Sequence, residues 1–113
     1  MKYNPLKKFS NIEIQDILES SSNIQDARVL PLSVGEYCDN WETAQDICIR
    51  LINHIDDEVR ANAILGLSYI ARRYHILDRN IIEPLLKKEL KRNINCRDRV
   101  LYAIEDIYLF LKW

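Results

Sequence analysis

Apolar residues along this chain recur at spacings of three and four, and the most regular such run lies in residues 56–74. The run returns later in the chain: shifted by 37 positions, Val59 aligns with Cys96 and Ile70 aligns with Ile107. Repeats of about this length are typical of stacked helical hairpins, which bury their apolar stripes against each other and offer a long surface to a partner. The pattern therefore predicts a binding protein.

Helix-capping signals along the chain predict six helices. The segment Ser10–Glu13 is a capping box, in which the serine hydroxyl and the glutamate carboxylate satisfy free backbone N–H groups. Further capping residues indicate where the five later helices begin: Asn23, Asp39 or Asn40, Asp56, Asp78, and Asn93 or Asn95. We expect Pro31 and Pro84 to kink the second and fifth helices, and Gly35 to end the second near Tyr37.

These helices predict an all-α fold, a short right-handed α-solenoid of about three hairpins in a single domain. It would consist of an N-terminal arm (residues 1–9), a degenerate capping hairpin (10–37) and two regular hairpins (39–74 and 78–112). The apolar stripe expected in its core consists of Val59, Ala63, Leu67, Ile70, Val100, Ile104 and Ile107.

Charge is distributed unevenly along a chain whose net charge is only −1. Residues 1–60 hold 11 acidic and 6 basic side chains, whereas residues 61–113 hold 6 acidic and 10 basic ones. One interpretation is a solvated surface that is lopsided without consequence. The other is that one half faces a partner of opposite charge, since complementary fields steer association and exclude wrong partners.

The sequence contains no pattern that indicates catalysis, and we expect no enzyme activity, no cofactor and no metal ion. His54 and His75 stand at opposite helix ends, and neither has a second metal ligand three or four residues away. Glu105 and Asp106 are adjacent on a helix and point apart, so they cannot act jointly. Cys38 stands near a helix start, but an ordinary loop cysteine is the simpler interpretation.

The cysteine pattern and the N-terminal residues both favour a cytoplasmic location. Three cysteines without a C-x-x-C motif fit a reducing compartment. The opening residues MKYNPLKKF lack the apolar stretch of a secretory signal, and no apolar run reaches membrane-spanning length. We therefore expect no membrane partner.

The repeated pattern resembles the second helix of HEAT repeats, D-x-x-V-R-x-x-A-x-x-G/A-L-x-x-I. The matching residues are Asp56, Val59, Arg60, Ala63, Gly66, Leu67 and Ile70, with a second copy at Cys96, Arg97, Val100, Ala103, Ile104 and Ile107. Segments Asn4–Ser10, Trp41–Cys48 and Glu58–Arg73 further resemble small bacterial immunity proteins of contact-dependent growth-inhibition and other polymorphic toxin systems. This resemblance implies a protein, monomeric when alone, that forms a heterodimer with a cognate toxin domain, often a nuclease, and occludes it.

Helical geometry and charge together indicate the surface for such a partner. The second helices of the last two hairpins would form a concave wall, and helical spacing places these side chains along it: Glu58, Asn62, Leu65, Tyr69, Arg72, Asn95, Arg99, Tyr102, Asp106 and Leu109. Acidic side chains of the N-terminal half would attract a basic toxin groove: Glu36, Asp39, Glu42 and Asp46. The alternative for Leu65 and Leu109 is that they merely cover a helical turn.

Two other functions stay open at this point: a regulatory scaffold, and nucleic-acid binding through Arg72–Arg73 and Lys87–Arg92. Nucleic acid is the less favoured partner, because a binding stripe needs several basic residues to converge on one groove. Arg60 and Arg97 are interpreted as structural, since Asp56 stands four residues before Arg60 and can pair with it along the helix.

Overall fold

The computed structural model describes residues 5–20 and 23–113, and this part of the chain forms six α-helices and no strand. The helices are α1 (Asn11–Ser20), α2 (Ile24–Tyr37), α3 (Trp41–Ile52), α4 (Asp57–Tyr74), α5 (Arg79–Arg92) and α6 (Arg97–Leu111). The predicted all-α class is confirmed. Residues 1–4 of the predicted arm and residues 21–22 of the predicted turn lie outside the described residues.

Local capping explains where the first four helices begin. The backbone N–H of Ser10 donates to Glu13 Oε1 (2.9 Å), and the N–H of Glu13 donates to Ser10 Oγ (3.2 Å), which is the predicted capping box. The side chains of Asn23, Asn40 and Asp56 each accept a hydrogen bond from the backbone N–H three residues further on. Each bond satisfies a donor that the first helical turn leaves free.

The last two helices begin differently from the prediction. Asp78 precedes α5, but its carboxylate accepts a hydrogen bond from the amide of Gln45 on α3 (2.8 Å) instead of capping its own helix. The residue that caps α6 is Cys96, so the predicted caps Asn93 and Asn95 lie before it. Asn93 still contributes, because its Oδ1 accepts the backbone N–H of Cys96 at 3.0 Å.

Helix α4 lies in the middle of the fold, with α2 and α6 packed along its two sides and α3 packed against it as well. α5 contacts α3, α4 and α6, while α1 packs on α2. This arrangement is compatible with the predicted solenoid. Of the predicted core stripe, six residues are fully buried and Ile104 is partly buried; the six are Val59, Ala63, Leu67, Ile70, Val100 and Ile107.

The contact between α2 and α4 is unusually close and depends on two glycines. A Cβ atom added to Gly66 would lie 2.4 Å from the carbonyl oxygen of Pro31, and one added to Gly35 would lie 2.6 Å from the carbonyl oxygen of Gly66. Helix α2 ends at Tyr37, as predicted, but Gly35 does not end it. Gly35 lies inside the helix with a negative φ. Its missing side chain permits the approach of the two backbones.

A buried ion network links α4 to α5. Arg60 donates to Glu89 Oε2 (2.9 Å) and to Asp57 Oδ1 (2.5 Å), and its remaining N–H groups reach two backbone carbonyls of the preceding turn. Glu89 is fully buried and also accepts from Arg92 (2.6 Å) and Asn93 (2.9 Å). A charge without solvent is tolerated only when it is paired and hydrogen-bonded, and the network meets that condition. The structural interpretation of Arg60 is therefore correct, but its partners are Asp57 and Glu89.

We expect Gly66→Ala to destabilise the fold by about 1–3 kcal/mol, because the new methyl group would overlap the backbone of Pro31. The sign is diagnostic: in an ordinary helix interior the same substitution stabilises by roughly 0.5–1 kcal/mol. Urea unfolding monitored by circular dichroism measures the difference. An increase in the free energy of unfolding would contradict the close contact.

We expect Arg60→Met to lower the free energy of unfolding by about 3–5 kcal/mol, because it removes one of the two cations that face the buried Glu89 carboxylate. The double variant Arg60→Met with Glu89→Leu should recover part of this loss. The matched control is Arg97→Met at the equivalent repeat position, where the exposed guanidinium donates, among the described residues, only to the carbonyl of Leu90. Equal losses at Arg60 and Arg97 would contradict a special role for the network.

Candidate protein-binding surface

Because α2, α3 and α6 all pack on α4, most of α4 is buried and one strip along it remains in contact with solvent. This strip carries the residues that helical periodicity predicts, namely Glu58, Leu65, Tyr69 and Arg72, with Asn62 at its edge. Leu65 is partly buried and packs against the core, which fits a covering role as well as a contact role. The predicted register of α4 is therefore the observed one.

Asn62 ties three helices together beneath the strip. It is only 9% exposed; its side-chain N–H donates to the carbonyl oxygen of Arg28 on α2 (2.8 Å), and its Oδ1 accepts from Arg99 on α6 (2.9 Å). Both ends of the amide are thus engaged within the fold. Asn62 positions Arg99 and supports the surface from below, which is a different role from the direct partner contact that the sequence suggested.

At the other end of the strip, Arg72 joins α4 to α2. Its guanidinium lies over the ring of Tyr69, 5.2 Å from the ring centroid, and 3.3 Å from Glu36 Oε2. Both charged side chains are about half exposed, so the ion pair adds little to stability, and its effect is to hold the arginine over the ring. Glu36 is thereby brought to the same surface as Tyr69 and Arg72.

The adjacent part of α6 extends this surface. Arg99 is partly buried at the boundary with α4, while Tyr102 and Asp106 follow at spacings of three and four and are exposed. We call the combined set the α4–α6 surface; it consists of Glu36, Leu65, Tyr69, Arg72, Arg99, Tyr102 and Asp106. The structure therefore brings together the α4 and α6 residues that the sequence predicted, with Asn62 beneath them.

The remaining predicted acidic residues lie elsewhere. Asp39 and Asp46 line an open groove of about 610 Å³ between α1, α2 and α3, and Glu42 is exposed on the first turn of α3 outside the groove lining. The groove lining also includes apolar side chains: Phe9, Ile14, Leu18, Val34 and Ile47. Glu36 is thus separated from the other three predicted acids: it lies beside Arg72, whereas Asp39 and Asp46 line the groove and Glu42 lies on the first turn of α3.

Arg28 and Asp56 form an ion pair near the start of α4, and sequence reasoning missed it. Two guanidinium nitrogens of Arg28 meet the two carboxylate oxygens of Asp56 at 2.8 and 3.2 Å. The prediction that Asp56 pairs with Arg60 is wrong, because Arg28 from α2 occupies the carboxylate. The hydrogen bonds from Arg28 lower the pKa of Asp56 to about 2, and the backbone N–H of Val59 adds to this effect. No sequence signal identifies a partner 28 residues away.

Within residues 5–20 and 23–113, no three His, Cys, Asp or Glu side chains lie close enough together to hold a metal ion. All three cysteines are free, and burial raises the pKa of the Cys48 and Cys96 thiols, which disfavours the reactive thiolate. Among these same residues, no helix has both the length and the apolar character needed to span a bilayer.

The basic residues of the last two hairpins do not converge on a groove. Arg73 donates to the carbonyl oxygen of Gly35 (2.8 Å) and its guanidinium lies over the ring of Tyr74, while Arg92 donates to the carbonyl oxygen of Ile52 and to Glu89. Exposed positive charge is left mainly on the outer side of α5, at Lys87, Lys88 and Lys91. Three lysines on the outer side of one helix are typical of a solvated surface, not of a groove that binds nucleic acid.

Comparison with known proteins gives an informative match among solved structures. No family model matches the chain, and no curated protein matches it. Among solved structures, a chain from the crystal structure of a CDI complex from Cupriavidus taiwanensis LMG 19424 matches it with a TM-score of 0.78 and 27% sequence identity. The match covers 97% of this chain and 96% of that chain, so the two share the fold from end to end.

Asp56→Asn should lower the free energy of unfolding at neutral pH by about 1 kcal/mol. The expected loss is this small because the ion pair with Arg28 is partly exposed and solvent screens it. Because the pKa of Asp56 is depressed in the folded state, its charge stabilises the fold above its ordinary pKa of 3.8, and this contribution is lost as the pH falls toward 2. The stability difference between the two proteins should therefore shrink as the pH falls from 4 to 2 and vanish only below pH 2. Urea unfolding from pH 7 to pH 2 measures this.

The matched control for this series is Asp46→Asn, which removes a carboxylate that has no cation within ion-pair distance in residues 5–20 and 23–113. Its stability difference from the parent should stay small across the pH range. If Asp56→Asn and Asp46→Asn gave the same pH profile, the ion pair with Arg28 would contribute nothing to folding.

Proposed function

We propose that this protein is an immunity protein that binds a cognate toxin domain and neutralises it by stoichiometric, non-covalent occlusion. The observation that carries the proposal is the end-to-end match to a chain of a CDI complex, at 27% identity and a TM-score of 0.78. A match over nearly the whole of both chains concerns the entire molecule, not one shared motif. The sequence resemblance to immunity proteins of contact-dependent growth inhibition supports the same function independently of the fold.

The α4–α6 surface is the proposed site of toxin contact. Tyrosine and arginine are the residue types that most often anchor interfaces, because they bury a large area and still form hydrogen bonds. The guanidinium of Arg72 lies over the ring of Tyr69, and Arg99 donates a hydrogen bond to Asn62, so these side chains need less further ordering on binding than free ones would. A surface prepared in this way loses less entropy when the partner docks.

Acidic side chains have a separate role in this proposal. A nuclease toxin must attract a polyanion, so its active groove is basic, and an acidic inhibitor is drawn to it. Asp39, Glu42 and Asp46 are exposed and make no ion pair within the described part of the chain, which leaves their charge available for steering. Charges at an interface rim act mainly on the association rate, whereas buried anchors act on dissociation.

Nucleic-acid binding by this protein itself has weaker support. The arginines of the basic segments are engaged in contacts within the fold, and the free lysines of α5 face outward on one helix. Binding to a duplex needs several cations along one groove, and it falls steeply with salt concentration. A general scaffold role has no specific observation in its favour.

The test is binding to, and inhibition of, the toxin domain encoded beside this protein's gene. We expect a 1:1 complex and complete loss of toxin activity at equimolar protein. Tyr102→Ala should raise Kd by about 30-fold, equivalent to about 2 kcal/mol, mainly through faster dissociation, and Asp39→Lys should mainly slow association. Tyr102 is largely exposed, so its removal should leave the thermal melting temperature unchanged.

Ile81→Ala is the control for these variants, because it truncates an exposed apolar side chain on α5, a helix that contributes no residue to the proposed surface. It should bind as the parent does. Failure of the parent to bind or inhibit the toxin would contradict the immunity function. Parent-like binding by both Tyr102→Ala and Asp39→Lys would contradict only the assignment of the contact residues.

A further inference from the structure

Helix α6 has an outer side that no described helix covers. The helix buries Val100, Ala103 and Ile107 against the rest of the fold, and the opposite side stays in solvent. We call this side the α6 outer face; it consists of Asp98, Leu101, Tyr102, Glu105, Asp106, Leu109 and Lys112, all of them exposed. Residues four apart lie in one row along a helix. The face therefore has one row of Asp98, Tyr102 and Asp106 and a neighbouring row of Leu101, Glu105 and Leu109.

Apolar exposure distinguishes this face from the other outer helix sides. Leu109 is 72% exposed, Tyr102 is 66% exposed and Leu101 is 37% exposed, on a helix of 15 residues. Single exposed apolar residues are ordinary, but several on one face mark a surface that becomes covered by a partner. The outer side of α5, by comparison, presents three lysines and only Ile81 as a large exposed apolar residue.

Charge on the same face restricts the kind of partner. Asp98, Glu105 and Asp106 make no ion pair or hydrogen bond with their side chains within residues 5–20 and 23–113, and Lys112 is the one cation among the seven residues of the face. The two arginines at the start of α6 are directed elsewhere, since Arg97 donates to the carbonyl of Leu90 and Arg99 donates to Asn62. The face is therefore acidic although it belongs to the half of the chain with more basic residues.

This charge argues against a second copy of the chain as the occupant. Two copies packed face to face would bring the Glu105 and Asp106 carboxylates of both copies together in an apolar contact, where like charges repel strongly. A surface with cations around an apolar patch would instead pair with the carboxylates and cover Tyr102 and Leu109.

We propose that the α6 outer face is a docking surface for the basic, partly apolar surface of the toxin, with Leu109 and Tyr102 as buried anchors and Glu105 as the central charge partner. This inference rests on the proposed immunity function and extends its contact surface around α6. Tyr102 and Asp106 belong both to this face and to the α4–α6 surface, so one partner can cover both without a gap. The inference adds Leu101 and Glu105 to the predicted contact residues, and it assigns Leu109, which helical spacing had already placed on the flank of α6, as an anchor.

The experiment measures binding kinetics of the catalytically inactivated toxin domain encoded beside this protein's gene. Leu109→Ala should raise Kd by about 10-fold or more through faster dissociation. Glu105→Lys should slow association several-fold at low salt and make the association rate less sensitive to salt, because it removes an attractive charge. The matched controls on α5, Ile81→Ala and Lys88→Glu, should leave both rates close to those of the parent.

The outcomes separate this inference from the function on which it rests. If the parent does not bind the toxin, the immunity function fails and the inference fails with it. If the parent binds, and Leu109→Ala and Glu105→Lys bind equally well while melting at the parent temperature, the α6 outer face is not the docking surface although the function stands. Sedimentation of the parent alone should show a monomer, and a dimer that Leu109→Ala dissociates would overturn the proposal in favour of self-association.

Discussion

The contact between α2 and α4 at Gly35 and Gly66 is the constraint on which the rest of the structure depends. Side chains at either position would separate the two backbones, because a Cβ would meet carbonyl oxygens at 2.6 and 2.4 Å. The close approach brings Arg28 to Asp56 and aligns the ends of α2 and α4, where Arg72 meets Glu36. It also leaves α4 enclosed on most sides, so that the single exposed strip of α4 is the part of the central helix that a partner can reach.

Polar contacts also hold α3 and α4 to α5, the first helix of the next hairpin. Gln45 exchanges two hydrogen bonds with Asp78, which fixes α3 to the start of α5, and Arg60 reaches the buried Glu89. Such contacts are directional, whereas apolar packing alone tolerates small rotations of one helix on another. The candidate binding surface therefore rests on a layer whose helices are held in one orientation, which suits a protein whose proposed activity is to match the shape of a partner.

The distribution of charge shows why a count along the chain is a poor guide to surface charge. Residues 61–113 contain more basic than acidic side chains, yet several of their arginines are used inside the fold, including Arg73, Arg92 and Arg99. Their guanidinium groups satisfy backbone carbonyls and side-chain oxygens, as the forked geometry of arginine allows. Within the part of the chain that the structure describes, the carboxylates of α6 have no such partners, and the exposed side of that helix is acidic as a result.

Local rules within the sequence determined the six helices, their first capping residues and the exposed strip of α4. Capping bonds span three residues and helical periodicity acts over three or four, so Ser10, Asn40 or the spacing from Leu65 to Tyr69 and Arg72 can be read without knowledge of the fold. Only the tertiary structure decided that Asp56 pairs with Arg28, that Arg60 reaches Glu89, that Gly35 is a packing residue and that Glu36 lies apart from the acids of the groove. Those outcomes depend on the distance and angle at which helices cross, and these follow from the fit of many side chains at once.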